Sequence, residues 1–454
     1  MHLHLLGICG TFMGGIAAIA REAGHRVTGC DANVYPPMSD QLRALGIDLI
    51  EGFDPGQLAL APDVWVIGNV VSRGNPLVEA ILDARQPYTS GPQWLAERVL
   101  AGRHVLAVAG THGKTTTAAM LAWILEACGR RPGFLIGGVP RDFPFSARLS
   151  TPETPFVIEA DEYDTAFFDK RSKFVHYRPS TAILNNLEFD HADIFADVAA
   201  IRTQFHHLVR MVPRSGRLVV NTGQRHLRTV LAAGCWSETV PFDVPAGWHA
   251  TGVLETAEAS EFDVRHGRRR VGRCRLAAAG RHNRSNALAA IAAAEHVGVA
   301  PTDAIEALGR FGGVKRRLEV RGTVRGVTVI DDFAHHPSAI ATTVDGLRAR
   351  MAPGERILAV LEPRSATMKL GRLKDQLAPS LRGADRTYCY AHRLGWDAAA
   401  ALAPLAGAAR TFDDLDALVA AVAGDARAGD RVLVMSNGGF GGVHGKLLDA
   451  LAGR

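Results

Sequence analysis

Almost nothing in this chain could build a disulfide framework, a zinc knuckle or a membrane span. Its six cysteines, Cys9, Cys30, Cys128, Cys235, Cys274 and Cys389, are scattered with no C-x-x-C pair, so reduced thiols, mostly in cores, are expected. No apolar run reaches the roughly 18 residues that cross a bilayer. The opening Met1-His-Leu-His-Leu-Leu6 meets Gly7 too soon to be a signal-peptide core. A cytoplasmic protein without membrane insertion is therefore expected. The dinucleotide fingerprint is missing as well: G-x-G-x-x-G counted from Gly7 needs glycine where Cys9 and Phe12 stand, which opposes an NAD-dependent oxidoreductase. Lysine is absent from 174–314. A formal charge of +5 suits a protein that handles anions. The densest basic run, 265–275, alternates after Gly267 like an exposed hairpin and carries no aromatics to stack bases, so no nucleic-acid partner is expected.

What is present is a phosphate cradle. An apolar strand at 105–109 runs into Gly110, Thr111, His112, Gly113, Lys114, Thr115 and Thr116. Backbone N–H groups of such a turn converge on one anion, and the following helix adds its positive dipole end. Lys114 reaches the outer phosphates, and Thr115 or Thr116 offers a hydroxyl to Mg²⁺. The Lys114 ammonium is expected to face the ligand rather than a core. Met120, Leu121, Ile124, Leu125 and Cys128 recur at helical spacing, and Gly129 supplies the stop. The loop is shortened, because Val108 stands where the usual G-x-x-x-x-G-K-[ST] pattern has its first glycine.

The length of 454 residues suggests about three domains. The first opens with a strand at 3–8, the turn from Gly10 to Gly15, a helix through Ala23 and a strand from Arg26 towards Asp31. This is a Rossmann-like opening, with room for a nucleotide diphosphate at the helix N-terminus. A tight turn without ligand fits the same spacing. A strand at 64–67 ends in a second ligand-facing loop with Ser72 and Arg73. After residue 103, strands at 105–109, 156–159, 181–185 and 217–221 alternate with helices, one of them opened by Asp197 and closed by Pro213. A third set places strands at 327–330, 356–361, 386–390 and 431–435, with an alanine-rich helix expected at 397–410. The fold class is α/β with mostly parallel sheets. No internal repeat or long low-complexity tract appears.

Two further segments carry chemistry. Ile158-Glu-Ala-Asp-Glu-Tyr-Asp164 sets four acids at the C-terminal end of a strand, the edge where parallel sheets bind ligands. A carboxylate there suits Mg²⁺ shared with nucleotide phosphates. Asn185-Asn-Leu-Glu-Phe-Asp-His191 follows the next strand, so His191 could bind a second divalent ion with Asp190 orienting it. Gly280-Arg-His-Asn-Arg-Ser-Asn286 offers amides for a base or phosphate.

In order, the cradle, Glu159-Ala-Asp-Glu162, Asp190-His191, His282-Asn-Arg-Ser-Asn286 and Asp331-Asp-Phe-Ala-His-His-Pro337 resemble the Mur ligases, builders of the peptidoglycan peptide stem, over nearly the whole chain. His112 and the glycines around Met13 are similar to the branch that adds L-alanine to UDP-N-acetylmuramate. Tyr35-Pro-Pro-Met-Ser39, Tyr163-Asp-Thr-Ala-Phe-Phe-Asp-Lys170 and Leu361-Glu-Pro-Arg-Ser365 are closer to the branch that joins UDP-N-acetylmuramate to the recycled tripeptide L-Ala-γ-D-Glu-meso-diaminopimelate. Folylpolyglutamate synthetases share the ATPase architecture but not a UDP-sugar opening. A nucleotide-dependent regulatory binder is the alternative of another class.

The resemblance implies a Rossmann-like UDP-sugar domain at 1–102, a central phosphate-loop ATPase at 103–317 and a Rossmann-like C-terminal domain for the amino component at 318–454. It implies ATP and Mg²⁺, with UDP-N-acetylmuramate and the murein tripeptide as small-molecule substrates. Lys114, Glu162, His191 and Arg316 would be catalytic, and Thr115, Glu162 and His191 would hold metal. ATP would meet the loop from Gly110 to Thr116 with His282, Asn283, Asn286 and Asp332. The UDP-sugar would meet Gly10, Thr11, Met13, Gly14, Asp31, Ser72 and Arg73, and the peptide His335 and Arg364. Several Mur ligases carry a carbamylated lysine on the helix after Asp-His as an extra metal ligand. Here His206 falls near that place, leaving His191 with water, or His206, for the second ion.

Overall fold

Strand patterning and short βα connections give three separate parallel-type sheets. They are seen in a computed structural model that describes residues 1–34 and 38–453; Tyr35, Pro36 and Pro37 lie outside the described residues. The first sheet is all parallel, in the order Asp48–Glu51, Arg26–Asp31, His2–Leu6, Val64–Ile67 and Tyr88–Ser90. The strand order reverses beside His2–Leu6, so the crevice at that strand's carboxyl end is where a ligand enters such a sheet. Helix Thr11–Glu22 starts there, and no side chain caps its first turn.

The second sheet has ten strands, and at its centre Thr181–Leu184, Val105–Ala109 and Phe156–Glu159 run parallel as neighbours. Every residue of Val105–Ala109 is buried, as expected for a strand covered on both faces. Because the three strands are adjacent and parallel, the loops leaving their carboxyl ends lie side by side. Those loops are the phosphate cradle, the acidic turn and the segment from Asn185 to His191. The outer strands Trp248–Glu255, Ser260–His266 and Arg269–Leu276 form the antiparallel hairpins expected of the basic run. Arg270 pairs with Asp263 and Arg273 with Glu261, so part of its charge is met across the strands.

The third sheet is parallel except for its edge strand Glu319–Val324. One expectation fails here. The alanine-rich stretch is helical only over Ala398–Leu402, passes through a 3₁₀ turn at Ala403–Leu405 and becomes strand at Ala409–Phe412. Pro404 cannot continue the ladder, and Ala406 and Gly407 adopt φ of 48° and 82°, which ends any helix. The short hairpin Asp164–Ala166 with Asp169–Ser172 also went unread in the sequence. It braces two domains: Phe167 packs on the first domain's core, and Phe168 meets the Tyr88 ring edge-on at 5.0 Å. No helix among the described residues is long and apolar enough to cross a membrane.

Candidate active site

The cradle is shaped by backbone that only glycine tolerates well. Gly113 caps helix Lys114–Ala127 at φ 80°, and a Cβ there would stand 2.6 Å from Asn286 Oδ1, so glycine lets the turn and the Asn286 carboxamide close on each other. The neighbouring loop zips the cradle in place. Asn186 Oδ1 accepts from His112 N–H at 2.7 Å, its Nδ2 donates to the His112 carbonyl, and the Glu188 amide donates to Thr111 Oγ1 at 2.9 Å. Asn185 Nδ2 donates to Thr117 Oγ1. Sequence reasoning missed Asn185, Asn186 and Glu188 as supports, although they stand in the segment it had marked.

Opposite the cradle, the acidic turn meets Lys114. Its ammonium donates to Glu162 Oε2 at 2.7 Å and lies 3.4 Å from Asp161 Oδ1, with 12% of the side chain exposed. The ammonium expected to be exposed to a ligand is thus largely covered, as an ion-pair partner of these two acids. Burial alone would lower its pKa, but Glu162 and Asp161 outweigh that and raise it. Glu162, only 1% exposed, also takes His191 Nε2 at 3.4 Å. Burial opposes the imidazolium, yet the Glu162 contact prevails and pushes His191 up to about 9. Burial likewise opposes the charged form of Glu162, but Lys114 and His191 hold its carboxyl below the usual range. The Thr115 hydroxyl donates to Glu159 Oε1 at 3.0 Å, and Glu159 also accepts from the Gly137 amide. Thr116 is buried in the same helical turn.

Asp161, Glu162 and His191 place ligand atoms within 4.8 Å of one another. Two hard carboxylates and one imidazole suit Mg²⁺ or Mn²⁺ completed by phosphate oxygens and water. Asp161 was absent from the expected ligands although it stands in the acidic run.

Three family models match the chain: "Mur ligase family, catalytic domain" over residues 2–103, "Mur ligase middle domain" over 108–294 and "Mur ligase, glutamate ligase domain" over 316–438. The chain belongs to the Mur ligase family. Among relatives, the UDP-N-acetylmuramate–L-alanyl-gamma-D-glutamyl-meso-2,6-diaminoheptandioate ligase of Escherichia coli (strain K12) is 56% identical over 100% of this chain and 98% of its own length. A UDP-N-acetylmuramate–L-alanine ligase of Rubrobacter xylanophilus is 35% identical over 82% of this chain and 80% of its own. A crystal structure of a murein peptide ligase from Psychrobacter arcticus superposes with a TM-score of 0.77 at 46% identity, covering 100% and 99% of the two chains.

Within this Mur ligase, His282, Asn283 and Asn286 open helix Arg281–His296 beside the cradle. Asn286 Nδ2 donates to Asn283 Oδ1, and Asn283 Nδ2 donates to the Ala279 carbonyl. His282 is held down to about 4 by burial, and its Nδ1 has no hydrogen-bond partner among the described residues. Asp332 serves its own domain, accepting from the Leu318 and Ala334 amides and the Thr343 hydroxyl. Arg316 is likewise engaged, by Asp331 and by the carbonyls of Ser436 and Gly438 at 2.8 and 2.9 Å. It is Arg317 whose charge acts on both His282 and Asp332.

His335 stands 3.9 Å from Asp190 Oδ2, at the seam with the central domain. That is where the C-terminal domain was expected to close on the site. Arg364 does lie near the third sheet's carboxyl edge, over Gly438, where a Cβ would stand 2.3 Å from its Nη1. Thr367, three residues on, donates to Asp190 Oδ1 at 2.7 Å and accepts from the Ala192 amide.

In the first domain Gly10 and Thr11 open the uncapped helix, with Gly14 one turn on, and Asp31 Oδ2 accepts from the Cys9 amide. Met13, in the first turn of that helix, is 4% exposed and packs its side chain in the core. Ser72 is exposed, and the Arg73 guanidinium grips Glu79 through two 2.9 Å bonds. His206 lies beside the Trp236 ring at 6.1 Å and is not one of the residues of the Asp161, Glu162 and His191 cluster.

Proposed function

We propose that this chain is an ATP-dependent ligase that joins UDP-N-acetylmuramate to the tripeptide L-alanyl-γ-D-glutamyl-meso-diaminopimelate, releasing ADP and phosphate. The observation that carries the reading is 56% identity along the whole chain to a relative bearing that ligase name. The site supports it chemically. A phosphate cradle, a buried lysine and a carboxylate–imidazole cluster converge at one sheet edge, and no nucleophilic side chain is needed.

The lactyl carboxylate would attack the γ-phosphorus of ATP, breaking its bond to the β-phosphate oxygen and leaving an acyl phosphate and ADP. The tripeptide amine would then attack the acyl carbon, the bond to phosphate would break, and the amine would shed its proton. When bound, Mg²⁺ offsets negative charge on the phosphates, and Asp161, Glu162 and His191 are the residues that would hold it, with Thr115 beside them. Lys114 places a cation where anion meets anion, and such preorganised charge acts most strongly in a water-poor site. Gly110 to Thr116 would seat the phosphates, with His282, Asn283 and Asn286 beside them. Gly10, Thr11 and Gly14 would take the diphosphate of the UDP-sugar. A reaction that consumes ATP and a UDP-sugar supports a cytoplasmic location.

The test is direct. Purified protein with ATP, Mg²⁺ and UDP-N-acetylmuramate is offered the tripeptide and L-alanine in separate reactions, and products are resolved by mass. The tripeptide adduct is expected. Efficient use of L-alanine with none of the tripeptide would overturn the assignment, and ATP binding without phosphate release would favour a regulatory binder.

A further inference from the structure

Lys173 has no part in the expected site, yet it is one of the most buried cations in the chain, 7% exposed. It follows the hairpin that braces the first two domains, and its amide donates to the Tyr163 carbonyl at 3.0 Å. Among the described residues its ammonium faces the Phe12 ring at 5.3 Å, the Tyr163 ring at 5.8 Å and Asp161 Oδ2 at 3.5 Å. One carboxylate, at ion-pair distance, and two aromatic faces meet a three-donor ammonium, which can therefore take a further acceptor. That carboxylate is shared, since Lys114 lies 3.4 Å from its other oxygen.

The position matters as much as the capacity for a further acceptor. Phe12 stands in the first turn of helix Thr11–Glu22, the uncapped N-terminus suited to a diphosphate. Asp161 belongs to the turn that meets Lys114, where a terminal phosphate would arrive. Lys173 therefore lies in the seam between the place that holds one end of a UDP-sugar and the place where its other end reacts. An acceptor spanning the two brings an anionic carboxylate past this ammonium.

We propose that Lys173 binds the carboxylate of the acceptor UDP-sugar and so selects a carboxylate-bearing sugar; this rests on the ligase reading above. The aromatic faces flank and attract the ammonium without supplying a counter-charge. A divalent ion on Asp161 and Glu162 would compete for the acid that pairs with Lys173 and free the cation for the substrate.

The test compares UDP-N-acetylmuramate with UDP-N-acetylglucosamine and UDP, which lack the lactyl carboxylate, by calorimetric titration of the full-length protein. For Lys173→Met we expect UDP-N-acetylmuramate to bind at least about 30-fold more weakly, with UDP and UDP-N-acetylglucosamine changed less than about threefold. Lys173→Arg should recover most of the difference, and the KM for ATP should stay near wild type. Equal weakening of all three ligands, or no change in any, overturns the proposal, because a merely structural lysine cannot discriminate by carboxylate. Should Lys173→Met fail to fold, Lys173→Gln and Lys173→Arg are compared by the same ratio. A wild-type protein that binds the two UDP-sugars equally would instead remove the ligase reading, and the role of Lys173 with it.

Discussion

The Ser338 hydroxyl of the C-terminal domain sits 3.0 Å from Nε2 of His112 in the phosphate cradle. It also donates to Glu188 Oε2 at 2.5 Å and lies 2.8 Å from His336 Nδ1. His112, Glu188 and His336 are spaced as metal ligands are, but the hydroxyl fills the centre that an ion would need. The cluster is a polar junction tying the cradle to the N-terminus of helix Pro337–Arg348. Burial alone would raise the Glu188 pKa, yet His112, Ser338 and His336 outweigh it and hold the carboxyl down at about 2.

Ser338→Ala is expected to lower kcat/KM for ATP by roughly tenfold, the equivalent of about 1.4 kcal/mol for one hydrogen bond to a charged group. Ser338→Thr should keep most of the activity. Steady-state kinetics with ATP varied check this, and an Ala variant with unchanged kinetics would show the junction to be idle.

Lys114→Met should lose more than about 100-fold in turnover, since one cation at a transferring phosphoryl group is worth about 3 kcal/mol or more. It should also melt at a lower temperature, because Glu162 and Asp161 keep their burial and lose their cation. Millimolar Mg²⁺ should restore part of the melting temperature without restoring turnover. A melting curve identical to wild type in the absence of metal would contradict the buried pairing.

Glu162→Gln and His191→Ala are each expected to shift the Mg²⁺ concentration for half-maximal activity upward by tenfold or more, the scale seen when metal ligation is weakened. Activity titrated with Mg²⁺ at saturating ATP reads the shift. Wild-type Mg²⁺ dependence in both variants would make these residues structural.

Arg364→Lys should raise the tripeptide KM about tenfold while ATP and UDP-sugar KM values stay put, because a point charge cannot replace a planar fork on a carboxylate. An unchanged tripeptide KM would take Arg364 out of the site.

His4 is fully buried, with Nδ1 bonded to Thr28 Oγ1 and Nε2 to Gln57 Oε1. Burial pushes its imidazole down to about 4, against the opposing Gln57 contact. Below about pH 6.5 the unfolded chain takes a proton that the native ring refuses. The stabilisation is therefore full above that pH and is lost as the pH falls through 4. Between pH 7.5 and 5 the wild type should lose about 2 kcal/mol more than His4→Gln, measured by urea unfolding. Parallel losses in the two proteins would count against a neutral buried His4.

Local chemistry made much of this protein readable without coordinates. Val105–Ala109 is a continuous apolar run ending in glycine, so the strand, the cradle and the helix stop at Gly129 follow from periodicity and backbone freedom within some 25 residues. The hairpin after Gly267 and the helix opened by Asp197 are legible for the same reason. The acidic turn and Asp190-His191 could be marked because they follow strands of a parallel sheet, whose carboxyl ends share one edge. What stayed hidden depends on residues far apart in the chain. Lys114 is neutralised by an acid 48 positions away, and Ser338 reaches His112 across 226. Nothing local marks Lys173 as different from Lys170, which stays exposed on a surface pair with Asp164. Short-range pattern, set by glycine, periodicity and strand order, determined where the phosphate cradle and the acids would be. Only domain packing, which sets burial and charge partners, decided which of them are paired, which merely support, and which cation waits at the seam.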